Sequence, residues 1–151
     1  MPLTIRRALS TDAPTVIDFN ARLAEESEGK QLDRALLAPG VAAALADPHK
    51  ADYFLACDGD EPLGQISITY EWSDWRNGWF WWIQSVYVRP EHRQRGVFRA
   101  LYHHVEGLAR DDASVIGLRL YVEEDNHRAQ KTYESLGMQA TSYFVLERYP
   151  L

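Results

Sequence analysis

Residues 79–88 read WFWWIQSVYV, an unbroken run of aromatic and β-branched residues with one glutamine and one serine. Such side chains pack well on a pleated surface and poorly in a helix. The run therefore predicts a long strand, Trp79 to Val88, entered through the hairpin signal Asn77-Gly78 and closed by Pro90. A basic turn containing Gly96 follows. Beyond it Val97, Leu101, Val105 and Leu108 recur at helical spacing, which predicts a helix from Val97 to Arg110. A strand running through a short turn into an amphipathic helix demands a sheet with a helix laid against it.

The rest of the chain fits around that unit. Leu3 to Arg6 reads as a short first strand. Ser10-Thr11-Asp12 offers a helix cap, with Pro14 in the first turn and Val16, Ile17, Phe19, Leu23 and Ala24 on an apolar face. A second helix is expected from Asp33 to Ala46, with Pro39-Gly40 as the point where it breaks in two. Tyr53 to Cys57 and Leu63 to Tyr70 read as strands joined by Asp58-Gly59-Asp60. In the second of these, Ile66 and Ile68 fall on one face and Gln65, Ser67 and Thr69 on a polar one. Ile116 to Val122 is a strand, Arg128 to Leu136 a helix ended by Gly137, and Tyr143 to Leu146 a last strand. The order βααβββαβαβ is an α+β (mixed α/β) layout, and 151 residues make one domain, 1–151, the default.

Composition narrows function. With 46% hydrophobic and 25% charged residues the chain is an ordinary globular one. No apolar run approaches the ~20 residues of a membrane span, and MPLTIRR lacks a signal peptide's apolar stretch, so no membrane partner and a cytoplasmic setting are expected. The lone cysteine, Cys57, reads as a small buried apolar residue. No His/Cys/Asp spacing resembles a metal site. The net charge of −6 argues against nucleic acid as a partner. Within that acidic chain, residues 89–99 carry Arg89, Arg93, Arg95 and Arg99 against Glu91. Either a local anionic ligand or a solvated loop accounts for them. A helix start presents N–H groups and partial positive charge, and Gly96 lets backbone approach a ligand closely, which together make a plausible phosphate cradle. Further on, Asn126 reads as a cofactor contact or a plain helix cap, and Tyr133 as a functional phenol or an ordinary half-buried aromatic.

Two motifs in order carry a resemblance. Val88-Arg89-Pro90 followed by Arg93-Gln94-Arg95-Gly96-Val97-Phe98, and Asn126, Ala129, Tyr133, Gly137 and Met138 further on, resemble the GNAT N-acetyltransferase family. Phe98 stands where that family has a small residue. The resemblance implies a central, mostly antiparallel sheet flanked by helices, with the fourth and fifth strands splayed and the thioester of acetyl-CoA, the co-substrate, between them. It implies that backbone N–H groups of Arg93, Gln94, Arg95, Gly96, Val97 and Phe98 hold the pyrophosphate. Main-chain groups of Val86, Tyr87 and Val88 would pair with the pantetheine arm, Asn126 would contact that arm, and Tyr133 would protonate the leaving thiolate. The acceptor would be a small-molecule or peptide amine; a homodimer is common in the family, though no residue here specifies one. A non-catalytic acyl-CoA-binding sensor with the same fold is the alternative.

An amine of pKa ~10.4 is neutral only about once in 2,500 molecules at pH 7, so a base is needed. Family members often carry a glutamate on the fourth strand, where this sequence has Trp82 and Gln84. Glu71 and Asp74, beside Trp72 and Trp75, are the nearest acidic candidates, against a solvated loop or a water chain. The five tryptophans between Trp72 and Trp82 read as an acceptor pocket, a packed hairpin or an interface. Glu25, Glu26 and Glu28 would attract a cationic amine or simply solvate a helix end, and His104 reads as a packed histidine.

Overall fold

The computed structural model describes residues 2–151. Residues up to Leu120 form one compact unit and Tyr121–Leu151 a second, smaller one. In the first unit β1 (Leu3–Arg7) leads to two helices, α1 (Ala13–Glu28) and α2 (Arg34–Ala46). Three antiparallel strands follow, β2 (Asp52–Asp58), β3 (Glu61–Ser73) and β4 (Gly78–Val88), then α3 (Val97–Asp111) and β5 (Val115–Leu120). The sheet order is β1-β2-β3-β4-β5, with every pairing antiparallel except β4 with β5. The parallel pair is possible because α3 supplies the crossover that a hairpin cannot. This is the expected α+β fold with a mostly antiparallel sheet. Among the described residues no helix is long and apolar enough to cross a membrane.

Alternation along the strands divides the core. Tyr53, Leu55 and Cys57 of β2 join Tyr87 of β4 against Val16 and Phe19 of α1 and Val41 of α2. Phe54, on the opposite face of β2, meets His104 of α3 edge-on at 5.1 Å. Burial raises the Cys57 thiol above its ordinary pKa, as expected of a packed rather than a reactive cysteine.

Two local expectations are corrected. Ser10–Asp12 form a 3-10 turn, and the Asp12 carboxylate accepts from the Leu9 amide (2.7 Å) and the Arg6 guanidinium (2.8 Å) instead of capping α1. The stronger, charged donor wins it. Helix α2 runs unbroken through Pro39-Gly40. Pro39 is the sixth residue of the helix, so its missing N–H deprives only the Ala35 carbonyl, in the first turn, and the Asp33 side chain caps that end at the Ala35 amide (2.9 Å). Gln65 and Ser67, on the polar face of β3, are buried, at 0% and 2% exposure. Strand β3 is the middle strand of five, and α1 lies over that face.

The second unit holds α4 (His127–Ser135), which ends where Gly137 takes φ +94°. The strand expected at Tyr143–Leu146 is absent. These residues join no ladder, and their side chains are 67–93% exposed.

Candidate active site

Strand β4 changes character at Ser85. Below it the ladder to β3 is regular, with Trp82 opposite Thr69 and Gln84 opposite Ser67; above it Tyr87 stands opposite Gln65. Ile66 alone therefore faces both Ser85 and Val86, a β-bulge, and Ser85 takes φ +51°. Serine has no glycine-like freedom there, so its surroundings must hold it. The buried Gln65 amide does so: Nε2 donates to the Ser85 carbonyl and to Asn20 Oδ1, both at 3.0 Å. Ser67 Oγ donates to the Gln84 carbonyl (3.0 Å), and Asn20 Nδ2 to the Tyr53 hydroxyl (3.2 Å). Sequence reasoning missed this network. Its only trace was amide and hydroxyl side chains in a strand flanked by apolar runs.

The bulge coincides with the end of the parallel pairing. Strand β5 accompanies β4 from Trp79 to Ile83 and stops at Leu120. From Gln84 to Val88 the edge of β4 on the β5 side has no ladder partner among the described residues. Five residues span about 17 Å, and their main-chain groups can take an extended polar chain as an added strand would. Val86 and Tyr87 lie within this stretch. The Val88 carbonyl is already engaged by Arg93 Nε at 2.9 Å.

The edge leads into the basic turn. Pro90–His92 form one 3-10 turn, Gln94 takes φ +62° and Gly96 φ +83°, and α3 begins at Val97. Left-handed residues alternating in this way gather N–H groups around one concavity. The first intrahelical bond of α3 runs from the Ala100 amide to the Gly96 carbonyl (3.0 Å), so the amides ahead of it lie at the helix's positive end. A Cβ built on Gly96 would meet nothing within 4 Å. The turn thus fits a pyrophosphate by its backbone. The Arg93 guanidinium pairs with Glu26 of α1 (2.6 Å) and lies 5.5 Å from the Tyr87 ring centroid. Arg95 and Arg99 remain exposed on the turn and first helical turn.

Of the two candidate carboxylates, Glu71 accepts from Trp82 Nε1 (2.9 Å) and pairs with Arg119 of β5 (3.1 Å), whose guanidinium lies 3.6 Å from the Phe80 ring centroid. It faces Phe80 in the ladder, four residues from the rung of Ser67 and Gln84, or about 13 Å along the strand. Asp74 sits in the hairpin turn, where it accepts from the Trp75 amide (3.1 Å). The tryptophans form no single pocket. Trp72 packs edge-on against Trp79 (5.0 Å), Trp81 against Tyr70 (6.0 Å), and Trp75 is 87% exposed. Glu26 is the one acid of the α1 end that meets the basic turn.

In the second unit Asn126 caps α4, its Oδ1 accepting from the Ala129 amide (3.1 Å), which leaves the Nδ2 donors unused by the cap. Tyr133 lies seven residues on, two turns along the same helix face. It is half-buried, and burial raises its phenol above the ordinary value of 10. At neutral pH the hydroxyl therefore keeps its proton.

Comparison with known proteins agrees with this geometry. Residues 15–138 match the acetyltransferase (GNAT) family. The thialysine N-epsilon-acetyltransferase of Caenorhabditis elegans is 31% identical over 83 residues, 55% of this chain and 51% of that protein. The mycothiol acetyltransferase of Mycolicibacterium gilvum is 35% identical over 91 residues, 58% of this chain and 29% of that protein. The chain thus spans about half of one curated relative and less than a third of the other. A crystal structure of a possible acetyltransferase from Clostridium difficile 630 superposes with a TM-score of 0.94 at 44% identity, covering 100% of this chain and 99% of that one. The ribosomal-protein-alanine N-acetyltransferase of Brucella melitensis biovar Abortus 2308 shares the fold at 17% identity, with a TM-score of 0.79 over 99% of this chain and 100% of that one. The match runs from α1 through α4 and takes in both the turn at Gly96 and the helix of Tyr133: the chain belongs to the acetyltransferase (GNAT) family.

Proposed function

We propose that the protein transfers an acetyl group from acetyl-CoA to a primary amine, directly, in a ternary complex. The observation that carries this reading is the β4 edge that β5 leaves beyond Ile83, running into the left-handed turn at Gln94 and Gly96. The pantetheine arm takes the place of the missing strand along Val86 and Tyr87. The pyrophosphate lies on the backbone amides between Arg93 and Phe98. Asn126 meets the arm through its amide. The amine nitrogen attacks the thioester carbonyl carbon, and as the tetrahedral intermediate collapses the C–S bond breaks. Tyr133 gives its proton to the departing sulfur.

The proton lost by the amine leaves along the polar face of β3 and β4. Gln84 Nε2 reaches Thr69 Oγ1 there (3.4 Å), and Glu71 lies two residues further on. In this reading water carries the proton along that face and Glu71 is the carboxylate at its end, with Asp74 as the further candidate in the turn. The curated relatives are named for thialysine and mycothiol, which favours a small-molecule amine over a peptide. This reading sets the protein in the cytoplasm, in reach of acetyl-CoA. The sensor reading draws support from the absence of a carboxylate on β4 itself and from the Arg119 pair that already engages Glu71.

Turnover separates the two readings. Purified protein with acetyl-CoA and a panel of primary amines, thialysine and lysine among them, releases free thiol with at least one member. Coenzyme A at ~100 times its Kd stabilises the fold by ~2.7 kcal/mol, roughly 5–10 °C in Tm for 151 residues. Stabilisation without thiol release from any amine selects the sensor; no stabilisation at millimolar coenzyme A overturns both.

A further inference from the structure

Strand β3 carries an amide in the sheet interior, where an apolar side chain would pack without cost. Gln65 is fully buried, as are Leu63 and Ile66 of the same strand. Burying an amide costs free energy unless its hydrogen bonds are made. Here they are made at one end only. Nε2 donates to Asn20 Oδ1 and to the Ser85 carbonyl, while Oε1 has no hydrogen-bond partner among the described residues. An apolar side chain of the same size would leave no such acceptor unmet, so packing alone does not account for the amide. Its donor end is fixed from behind: Asn20 of α1 is itself held to the Tyr53 hydroxyl of β2 (3.2 Å). The chain Tyr53–Asn20–Gln65–Ser85 thus ties β2, α1 and β3 to β4 at the residue with φ +51°. Ser67 Oγ holds the neighbouring Gln84 carbonyl (3.0 Å), so two successive carbonyls of β4 are held by side chains of β3. A serine stays in the left-handed region only where its surroundings over-determine it in this way.

The geometry of the peptide carries this hold to the other side of β4. In a trans peptide the carbonyl and the following N–H point in opposite directions, and the Ser85–Val86 peptide is trans. With the Ser85 carbonyl drawn to Gln65, the Val86 N–H points away from β3, to the side on which β5 ends at Leu120. We infer that Gln65 is a positioning residue for acetyl transfer: it holds the Ser85–Val86 peptide so that the Val86 N–H donates to the thioester carbonyl oxygen. The inference rests on the acetyl transfer proposed for this site. As the amine nitrogen bonds to the carbonyl carbon, the electron pair of the C=O π bond moves onto oxygen. A donor already aimed at that oxygen stabilises the charge without reorganising. Gln65 touches no reacting atom and acts only through Ser85, while Asn20 and Tyr53 lock its amide in place, the support that a precisely held site requires.

Two variants of the full chain test this. Gln65→Met keeps the volume and removes the donor; Gln65→Glu keeps the shape and, when ionised, puts an acceptor in the donor's place. Val41→Ala, a truncation in the core beneath α2, controls for lost stability. Turnover, coenzyme A affinity and the Val86 and Gly96 amide resonances are measured for all four proteins, with acetyl-CoA and with coenzyme A. In the wild type the Val86 amide proton moves further downfield with acetyl-CoA, because only the thioester offers it a carbonyl. Both Gln65 variants lose that difference and keep the Gly96 response. Their kcat falls about 10–10²-fold at unchanged Kd for coenzyme A. Val41→Ala keeps the difference and the wild-type kcat. A wild-type Val86 amide that answers both ligands alike, wild-type kcat in the Gln65 variants, or an equal loss in Val41→Ala would each overturn the inference alone. Absence of wild-type turnover, or a Gly96 amide that ignores coenzyme A, is the failure of the acetyl-transfer reading and overturns the inference through it. Should a Gln65 variant not fold, the wild-type Val86 response still decides.

Discussion

Tyr133 and Gly96 show how much single residues are asked to do. A phenol held above its ordinary pKa by burial keeps its proton through the neutral range and is suited to give it to a thiolate. Tyr133→Phe keeps the ring and removes only that proton. The expected result is a 10²–10⁴-fold fall in kcat with acetyl-CoA affinity nearly unchanged, the mark of an interaction made mainly in the transition state. Wild-type kcat, with chemistry rate-limiting, would remove Tyr133 from the mechanism. Gly96 combines φ +83° with open space over its Cα. Valine there is strained by the backbone alone, by about 1–2 kcal/mol, and projects into the space where phosphate would approach. Gly96→Val is expected to lose coenzyme A binding by calorimetry while Tm falls only a few degrees; unaltered affinity would place the pyrophosphate elsewhere. The turn at Gly96 and the capped helix of Tyr133 were legible in the sequence, because a glycine before a helix and a tyrosine two turns beyond a cap are local patterns. Gln65 was not legible. Its role depends on Asn20 and Ser85, which lie 45 and 20 residues away.

At the scale of the element, helix α3 joins the basic turn to a half-buried histidine. Its N-terminus closes the basic turn, and its buried face holds Val97, Leu101, Val105 and, half-buried against Phe54, His104. Burial lowers the His104 pKa below 6.5. The unfolded chain therefore binds the proton more readily than the native one, and stability rises with pH. This contribution is complete above about 6.5 and is lost as pH falls toward the folded value. His104→Phe keeps a ring against Phe54 and removes the titration. Chemical denaturation of both proteins across the range below pH 6.5 is expected to show a flatter profile for the variant; parallel profiles would mean that His104 titrates as it does in the unfolded chain. The α1 end was read less well. Glu26 looked like one of three solvated acids, but it pairs with Arg93 across 67 residues of sequence. An exposed pair of this kind contributes little to stability. Its effect is to hold the Arg93 side chain against α1.

For the whole molecule, the balance of charge bears on ligands: residues 89–99 are the basic part of a chain with net charge −6, so binding of an anionic co-substrate depends on a local field inside an acidic molecule.

Sequence by itself determined the element order from β1 to α4, the strand–turn–helix at Val88 to Val97, and the capped helix of Asn126 and Tyr133. Each of these rests on contacts within a few residues: hydrophobic period, cap chemistry, a glycine free to take positive φ. Only the tertiary structure decided the bulge at Ser85, the burial of Gln65, the pairing of Glu71 with Arg119 and the fate of Tyr143–Leu146. A bulge is defined by what stands opposite it, an amide is buried only if a helix crosses over it, and a segment becomes a strand only where a neighbouring edge receives its hydrogen bonds. Those conditions are set by parts of the chain tens of residues away, which no local pattern records.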